Sequence, residues 1–326
     1  MVVGKRSSAS AGGRWPLIRT AAAAALLLGL SIPSSSISAQ ASGARAPLAQ
    51  RIVHYDGSNL RQSQGSHEGA GSLSLIGLLG PESIDAPLAF VHRGYVGPRS
   101  SIGHHFHNRA EEMFVIFEGE AQFTIDGRTS VIKGPAAVPV RMGHSHAIYN
   151  PSGQPLNWMN INIPLGPGSS AFNLGDDRVG VPLDPKPVFM NTRFDPALLQ
   201  PVEGLRGGRG TVRYRRAFDG AVFSTSWSYV DHVVVPPGAS IGPQTPGNLA
   251  EIYYVFGGAG TVTVGGETAP IKAHDILPVN TGQTRSFAAS GAQPLEMLIV
   301  GIAKDLPSKE AFLAIPRAAR PAPARR

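Results

Sequence analysis

The sequence predicts an all-β fold built from two tandem copies of one unit, joined by a Gly/Pro-rich connector. Three observations carry this. From Leu88 onward, short runs rich in β-branched and aromatic residues alternate with turn residues. Asp126-Gly127 stands between two such runs, a pairing that favours a tight hairpin. The pattern then returns at a constant offset of 139 residues. Ser101, Ile102 and Gly103 become Ser240, Ile241 and Gly242, Glu112 becomes Glu251, and Phe117 becomes Phe256. Gly119, Gly127, Gly143 and Pro155 become Gly258, Gly266, Gly282 and Pro294, with no gap needed.

Taken in order, residues 1–41 read as a secretory signal peptide. Lys5, Arg6, Arg14 and Arg19 form a basic start without an acid, a short apolar run follows from Thr20 to Ile32, and Ala39-Gln40-Ala41 offers a small-x-small cleavage site. The apolar run is shorter than the ~20 residues a membrane span needs. The expectation is a secreted or periplasmic protein with no span after cleavage, loaded with any metal after export. Residues 42–86 form an N-terminal extension rich in Ser, Gly and Gln, in which SLSLIGLLG supplies a strand to the first unit or to a neighbouring subunit. Residues 87–165 are the first unit. Residues 166–215 read as a connector with one helical turn near Pro196 to Gln200. Residues 216–304 are the second unit, and 305–326 a C-terminal tail.

Charge and cysteine usage narrow the function. Of the net +7, four charges belong to the signal peptide and four to Arg317, Arg320, Arg325 and Arg326, which leaves the rest at −1. The folded body lacks the basic face that a nucleic-acid reader needs. With no cysteine, disulfides and thiolate metal sites are excluded.

The chemistry concentrates in Gly103 to Gly119, GHHFHNRAEEMFVIFEG. His105 and His107 are two residues apart on a strand and share a face. Glu112 shares a strand face with Phe114 and Ile116. A further imidazole follows at His146, in GHSHAIYN. Imidazoles and a carboxylate gathered on one face suit a divalent transition metal. By the same alternation Glu111 and His104 face the other way, and Glu111 is expected to be a solvated carboxylate. His144 is either a loop histidine or a residue at the pocket mouth.

These residues resemble the cupin superfamily. His105, His107, Glu112 and Gly119 satisfy the first cupin motif, H-x-H-x(3,4)-E-x(6)-G, and Gly143, His146 and Asn150 satisfy the second, G-x(2)-H-x(3)-N. Arg99 and Arg141 replace a usual Gly and Pro at positions that are not ligands. The resemblance covers residues 87 to 302. It implies two double-stranded β-helix (jelly-roll) barrels, a bicupin, with one metal held by His105, His107, Glu112 and His146.

In the second copy His105 maps to Gln244, His107 to Pro246 and His146 to Arg285, and only Glu251 persists. Proline offers no side-chain ligand and arginine is a permanent cation. The expectation is one divalent transition metal per chain (Fe, Mn, Ni, Cu, Co or Zn) and an Arg285–Glu251 ion pair in the degenerate barrel, which then serves packing or a homodimer. An anionic ligand on Arg285 is the alternative.

Substrate candidates come from the same offset. Trp158, Asn160 and Asn162 share one strand face, and their counterparts are Met297, Ile299 and Gly301. Polarity on that face is lost in the copy that lost its ligands, which points the face at the pocket; the alternative is a core Trp and two outer Asn. Gln122, His92, Tyr95 and Arg99 are further candidates. The resemblance implies several activities, because fold does not fix function. The first expectation is an oxygenase acting on a small organic substrate, with Glu112 accepting a proton as well as binding. The alternatives are a sugar or sugar-acid isomerase or lyase, and a binding protein without turnover.

Overall fold

The structure is a computed structural model that describes residues 46–166 and 171–316. Residues 1–41, expected to be a signal peptide, and the end of the tail lie outside the described residues. The first half contains a short helix, α1 (Leu48–Arg51), then β1 (Val53–His54), β2 (Arg61–Gln64), β3 (Ser72–Leu79), β4 (Phe90–Val96), β5 (Ser101–His107) and β6 (Ala110–Ile116). It continues with β7 (Glu120–Ile125), β8 (Arg128–Lys133), β9 (Ala136–Val140), β10 (Ser145–Tyr149), β11 (Leu156–Pro164) and β12 (Ala171–Asn173). The second half holds β13 (Thr192–Arg193), β14 (Gln200–Glu203), β15 (Thr211–Asp219), β16 (Trp227–Val235), β17 (Ser240–Gln244) and β18 (Leu249–Gly257). After these come β19 (Ala259–Val264), β20 (Glu267–Lys272), β21 (Asp275–Val279), β22 (Arg285–Ala289), β23 (Leu295–Ala303) and the helix α2 (Leu306–Ala314).

Every strand pairing is antiparallel. In the first barrel the large sheet runs β13-β9-β6-β11-β4-β3-β2 and the small one β12-β5-β10-β7-β8. In the second, the large sheet runs β1-β21-β18-β23-β16-β15-β14 and the small one β17-β22-β19-β20. Alternation along the strands produces three cores. Phe114, Ile116, Phe123, Ile148 and Trp158 fill the first barrel, and Val233, Tyr253, Phe287, Met297 and Ile299 fill the second. Met113, Val115 and Met159 pack with Ile252, Leu298 and Val300 between the two large sheets. β6 therefore serves two cores at once, with even positions inside the first barrel and odd positions in the seam between barrels.

The repeat begins earlier than the strand rhythm suggested, and the extension and the connector are not plain spacers. β1, β2 and β3 are matched at the same offset by β13, β14 and β15. The first strand of each copy crosses to the other copy: Val53 pairs with Ile276 in the second barrel, and Thr192 pairs with Ala137 in the first. All four positions are related by the offset of 139. SLSLIGLLG forms β3, beside β4 of the first barrel. The expected turn near Pro196 is a short 3-10 helix, Pro196–Leu198, and the connector also carries β12, which pairs with β5. Fingerprints of the longer repeat are present in the chain: Asp56, Gly65, Gly69 and Gly71 become Asp195, Gly204, Gly208 and Gly210. Gly69 shows why glycine recurs, since a Cβ there would lie 2.3 Å from the Ser101 carbonyl oxygen, and one at Gly208 would lie 2.1 Å from that of Ser240.

Candidate metal centre

β5 supplies His105 and His107, β6 supplies Glu112, and β10, paired with β5 so that His146 lies opposite His105, supplies the last side chain. One ligand atom from each of the four lies within 4.8 Å of the others, and all four residues are buried. No other such cluster occurs among the described residues. His107 Nε2 and His146 Nε2 stand 3.5 and 3.3 Å from Glu112 Oε2. Both nitrogens of His107 and His146, and Glu112 Oε2, have no hydrogen-bond partner. Buried polar atoms are rarely left so. An ion held between them would satisfy several at once, and the donor set suits a transition metal, so the residues fit the group that the sequence implied.

The surroundings favour the ligating protonation states. Burial, with His146 and His67 nearby, pushes the His105 imidazole down to about 2. Burial also lowers His107. Burial by itself would raise Glu112, but His146, His107 and Asn162 outweigh it and hold the carboxyl well below its usual range. Neutral imidazoles and an ionised carboxylate are what a cation requires. Two contacts orient the ligands. His105 Nδ1 lies 2.7 Å from the Gly103 carbonyl oxygen, which leaves Nε2 for the ion, and Asn162 Nδ2 donates to Glu112 Oε1 at 2.8 Å.

Glu111 faces away from the cluster as alternation requires, but it is not solvated. It is fully buried in the seam, where it accepts from the Ser224 and Thr225 amides at 2.8–2.9 Å and from Thr225 Oγ1 at 2.8 Å. The second barrel covers what would otherwise be an outer face, so the carboxylate is satisfied by backbone donors instead of water. His104 also faces away, bonded to Ser145 Oγ and Asp176 Oδ2. His144 pairs with Asp126 at 2.6 Å and stands outside the ligand group.

Among the substrate candidates, Trp158, Asn160 and Asn162 lie on the inner face, all 5 % exposed or less, so the reading of two outer asparagines is excluded. His92 joins them, because β4 places it directly opposite Asn160. Gln122 does not. It alternates with Phe123, whose ring packs toward His146 inside the barrel, so Gln122 faces outward. Tyr95 alternates with Val96 of the inner core and also faces away. Arg99 sits on an exposed turn at φ 53°, a left-handed conformation that favours glycine. His67, which the sequence did not single out, stacks on His105 with ring centroids 3.7 Å apart and hydrogen-bonds Asn173. Its counterpart is Arg206, and the glycines flanking both loops were the signal available in the chain.

The second barrel holds no ligand cluster among its described residues. Arg285 Nε donates to Glu251 at 2.6 Å, the expected pair, and Tyr229 and Tyr253 hydroxyls donate to the same carboxylate. Burial opposes ionisation of Glu251, but Arg285 and Arg206 outweigh it and lower its pKa. The half-buried Arg216 and the buried Asp231 form a second pair at 2.8 Å. Gly301, the counterpart of Asn162, admits the Tyr229 ring, which a Cβ there would meet at 2.4 Å.

Comparison with known proteins agrees with this architecture. The cupin domain pattern matches twice, over residues 93–162 and 231–301. The chain belongs to the cupin superfamily and is a bicupin. It is 29% identical over 99 residues to an oxalate-binding protein of Thermotoga maritima, covering 30% of this chain and 82% of that one. Among solved structures it is similar to a salicylate 1,2-dioxygenase from Pseudaminobacter salicylatoxidans (18% identity, 73% of this chain and 78% of that chain, TM-score 0.57). A Bacillus subtilis oxalate decarboxylase mutant matches 81% of this chain and 78% of its own at 19% identity and TM-score 0.54. At these identities the structures speak to the fold alone.

Proposed function

We propose that this protein is an exported, metal-dependent cupin enzyme, an oxygenase acting on a small organic substrate with one transition metal per chain. The observation that carries the reading is the buried group of three imidazoles and one carboxylate, in which the ring nitrogens of His107 and His146 and Glu112 Oε2 have no hydrogen-bond partner. Such a set leaves about two positions of an octahedral ion open, room for a chelating substrate or for substrate and O2 together. A bound ion would supply Lewis acidity and, if redox-active, access to O2. The protein's own part is to hold the His105 and His107 imidazoles neutral and to fix Glu112 through Asn162. Burial of all four residues shields them from bulk water. Export rests on the basic, apolar and small-residue pattern of residues 1–41.

A second reading, a binding protein for a small acid, is favoured by the oxalate-binding relative. Metal analysis of the mature chain from its native compartment, followed by an O2-uptake screen, separates the readings. About one equivalent of metal, lost in His107→Ala, together with substrate-dependent O2 consumption supports the oxygenase. Turnover without O2 consumption favours an isomerase or lyase, and binding without turnover favours the second reading. Full metal content in His107→Ala would refute the site.

A further inference from the structure

The inner face beside the ligand cluster carries polar groups that the ligand set does not use. Trp158 Nε1, Asn160 Oδ1 and Asn162 Oδ1 are buried and have no hydrogen-bond partner. They lie at alternate positions of β11, whose neighbours are β6 and β4. Asn162 stands opposite Glu112 on one side and Phe90 on the other; Asn160 stands opposite Phe114 and His92. Paired residues of antiparallel strands sit side by side on one face. His92 thus lies beside Asn160, one alternate position along from the amide that holds Glu112. Its ring stacks on Phe90 at 3.9 Å and makes no hydrogen bond among the described residues. Gly77 faces it from β3, where even a Cβ would come within 3.7 Å of the ring.

The second barrel is an internal control. There His92 becomes Asp231 and Gly77 becomes Arg216, and the buried Asp231 pairs with the half-buried Arg216. Asn160 becomes Ile299, Asn162 becomes Gly301, and Phe90 becomes Tyr229, whose hydroxyl donates to Glu251. In the copy with ligands Asn160 and Asn162 each keep an unsatisfied Oδ1, and in the copy without them Ile299 and Gly301 bring no polar side chain to those positions.

The chemistry of these groups narrows the ligand. Asn162 must turn its NH2 to the ionised Glu112, so its amide is not free to flip and Oδ1 is a fixed acceptor. A buried acceptor calls for a donor. A fully ionised dicarboxylate has none to give. We infer that His92, Asn160 and Asn162 form a recognition row for a hydroxyl group, and that the substrate is a chelating hydroxy acid, its hydroxyl hydrogen donated to Asn162 Oδ1 and its neighbouring oxygen held by His92 and the Asn160 amide. This rests on the metal-centre reading above and adds a substrate class to it.

The test measures binding, not turnover. The metal-reconstituted full chain is titrated calorimetrically with two probe pairs, glycolate against oxalate and salicylate against phthalate, with metal content assayed in parallel. Each pair sets a hydroxy acid against a dicarboxylate of higher charge, which a bare cation would prefer. The expected result is tighter binding of the hydroxy acid in at least one pair. His92→Phe weakens binding of the preferred hydroxy acid about tenfold, the worth of one hydrogen bond, and His92→Gln, which keeps a donor and an acceptor, restores most of it. If the dicarboxylate binds as well or better in both pairs, if no probe binds, or if His92→Phe leaves the affinity for the hydroxy acid unchanged at full metal content, the inference is overturned while the metal centre stands. Failure of the wild-type chain to take up metal would overturn the metal-centre reading and this inference with it.

Discussion

Asn162→Leu tests how far the metal site depends on a residue that does not ligate. Asn162 is 1 % exposed and Glu112 is 3 % exposed, and the amide donates to the carboxylate at 2.8 Å. A hydrogen bond to a charged group contributes about 1.5–3 kcal/mol, and such supporting residues typically change metal affinity about 10–100-fold. The two estimates agree, since 1.4 kcal/mol is about tenfold. Leucine fills similar space without a donor, so Glu112 loses its orientation while the β11 backbone pairing persists. The assay is metal competition against a chromogenic chelator, with Asn160→Leu as the matched control. Asn160 lies two residues away on the same face and is not bonded to a ligand. The expected outcome is about 10–100-fold weaker binding for Asn162→Leu and less than about threefold change for Asn160→Leu. Equal effects of the two substitutions, or no effect of Asn162→Leu, would refute the argument that this hydrogen bond sets the geometry of the centre.

Two further predictions follow from the buried charges. Arg285→Met removes the cation bonded directly to Glu251 in the second barrel, and should cost about 3–5 kcal/mol in denaturant unfolding without altering metal content; adding Glu251→Gln should recover more than half, and no recovery would mean that Arg285 acts through packing rather than charge. The second concerns pH. Burial lowers His92, and burial with Arg93 lowers His274, so each folded pKa lies below the unfolded value of about 6.5. The unfolded chain then binds more protons as pH falls, so stability is fully present above about 6.5 and declines below it. Urea unfolding of the metal-free protein should show this decline between pH 7.5 and 5, and His274→Asn should reduce it; a flat profile would contradict the burial argument.

What was legible from residues alone were features set by local spacing. Alternation placed His105 with His107 and Glu112 with Phe114 and turned Glu111 away, because side-chain direction along a strand has a period of two. The constant offset exposed the repeat and the loss of ligands at Gln244, Pro246 and Arg285, because a proline or an arginine excludes ligation wherever it lies. What lay between the barrels was not legible. Whether the outward face of β6 met water or another sheet decided that Glu111 is a buried acceptor for Ser224 and Thr225 and not a solvated charge. The crossing of β1 and β13 into each other's barrels depends on pairings more than 50 and 200 residues apart in sequence. Gln122 and His92 make the same point from opposite sides. Both are polar residues on strands, and only the packing of Phe123 and Val96 shows which of the two faces the pocket. The sequence by itself determined which atoms were available for chemistry; the tertiary structure decided which were left buried and unpaired, because burial belongs to what packs on a strand and not to the strand.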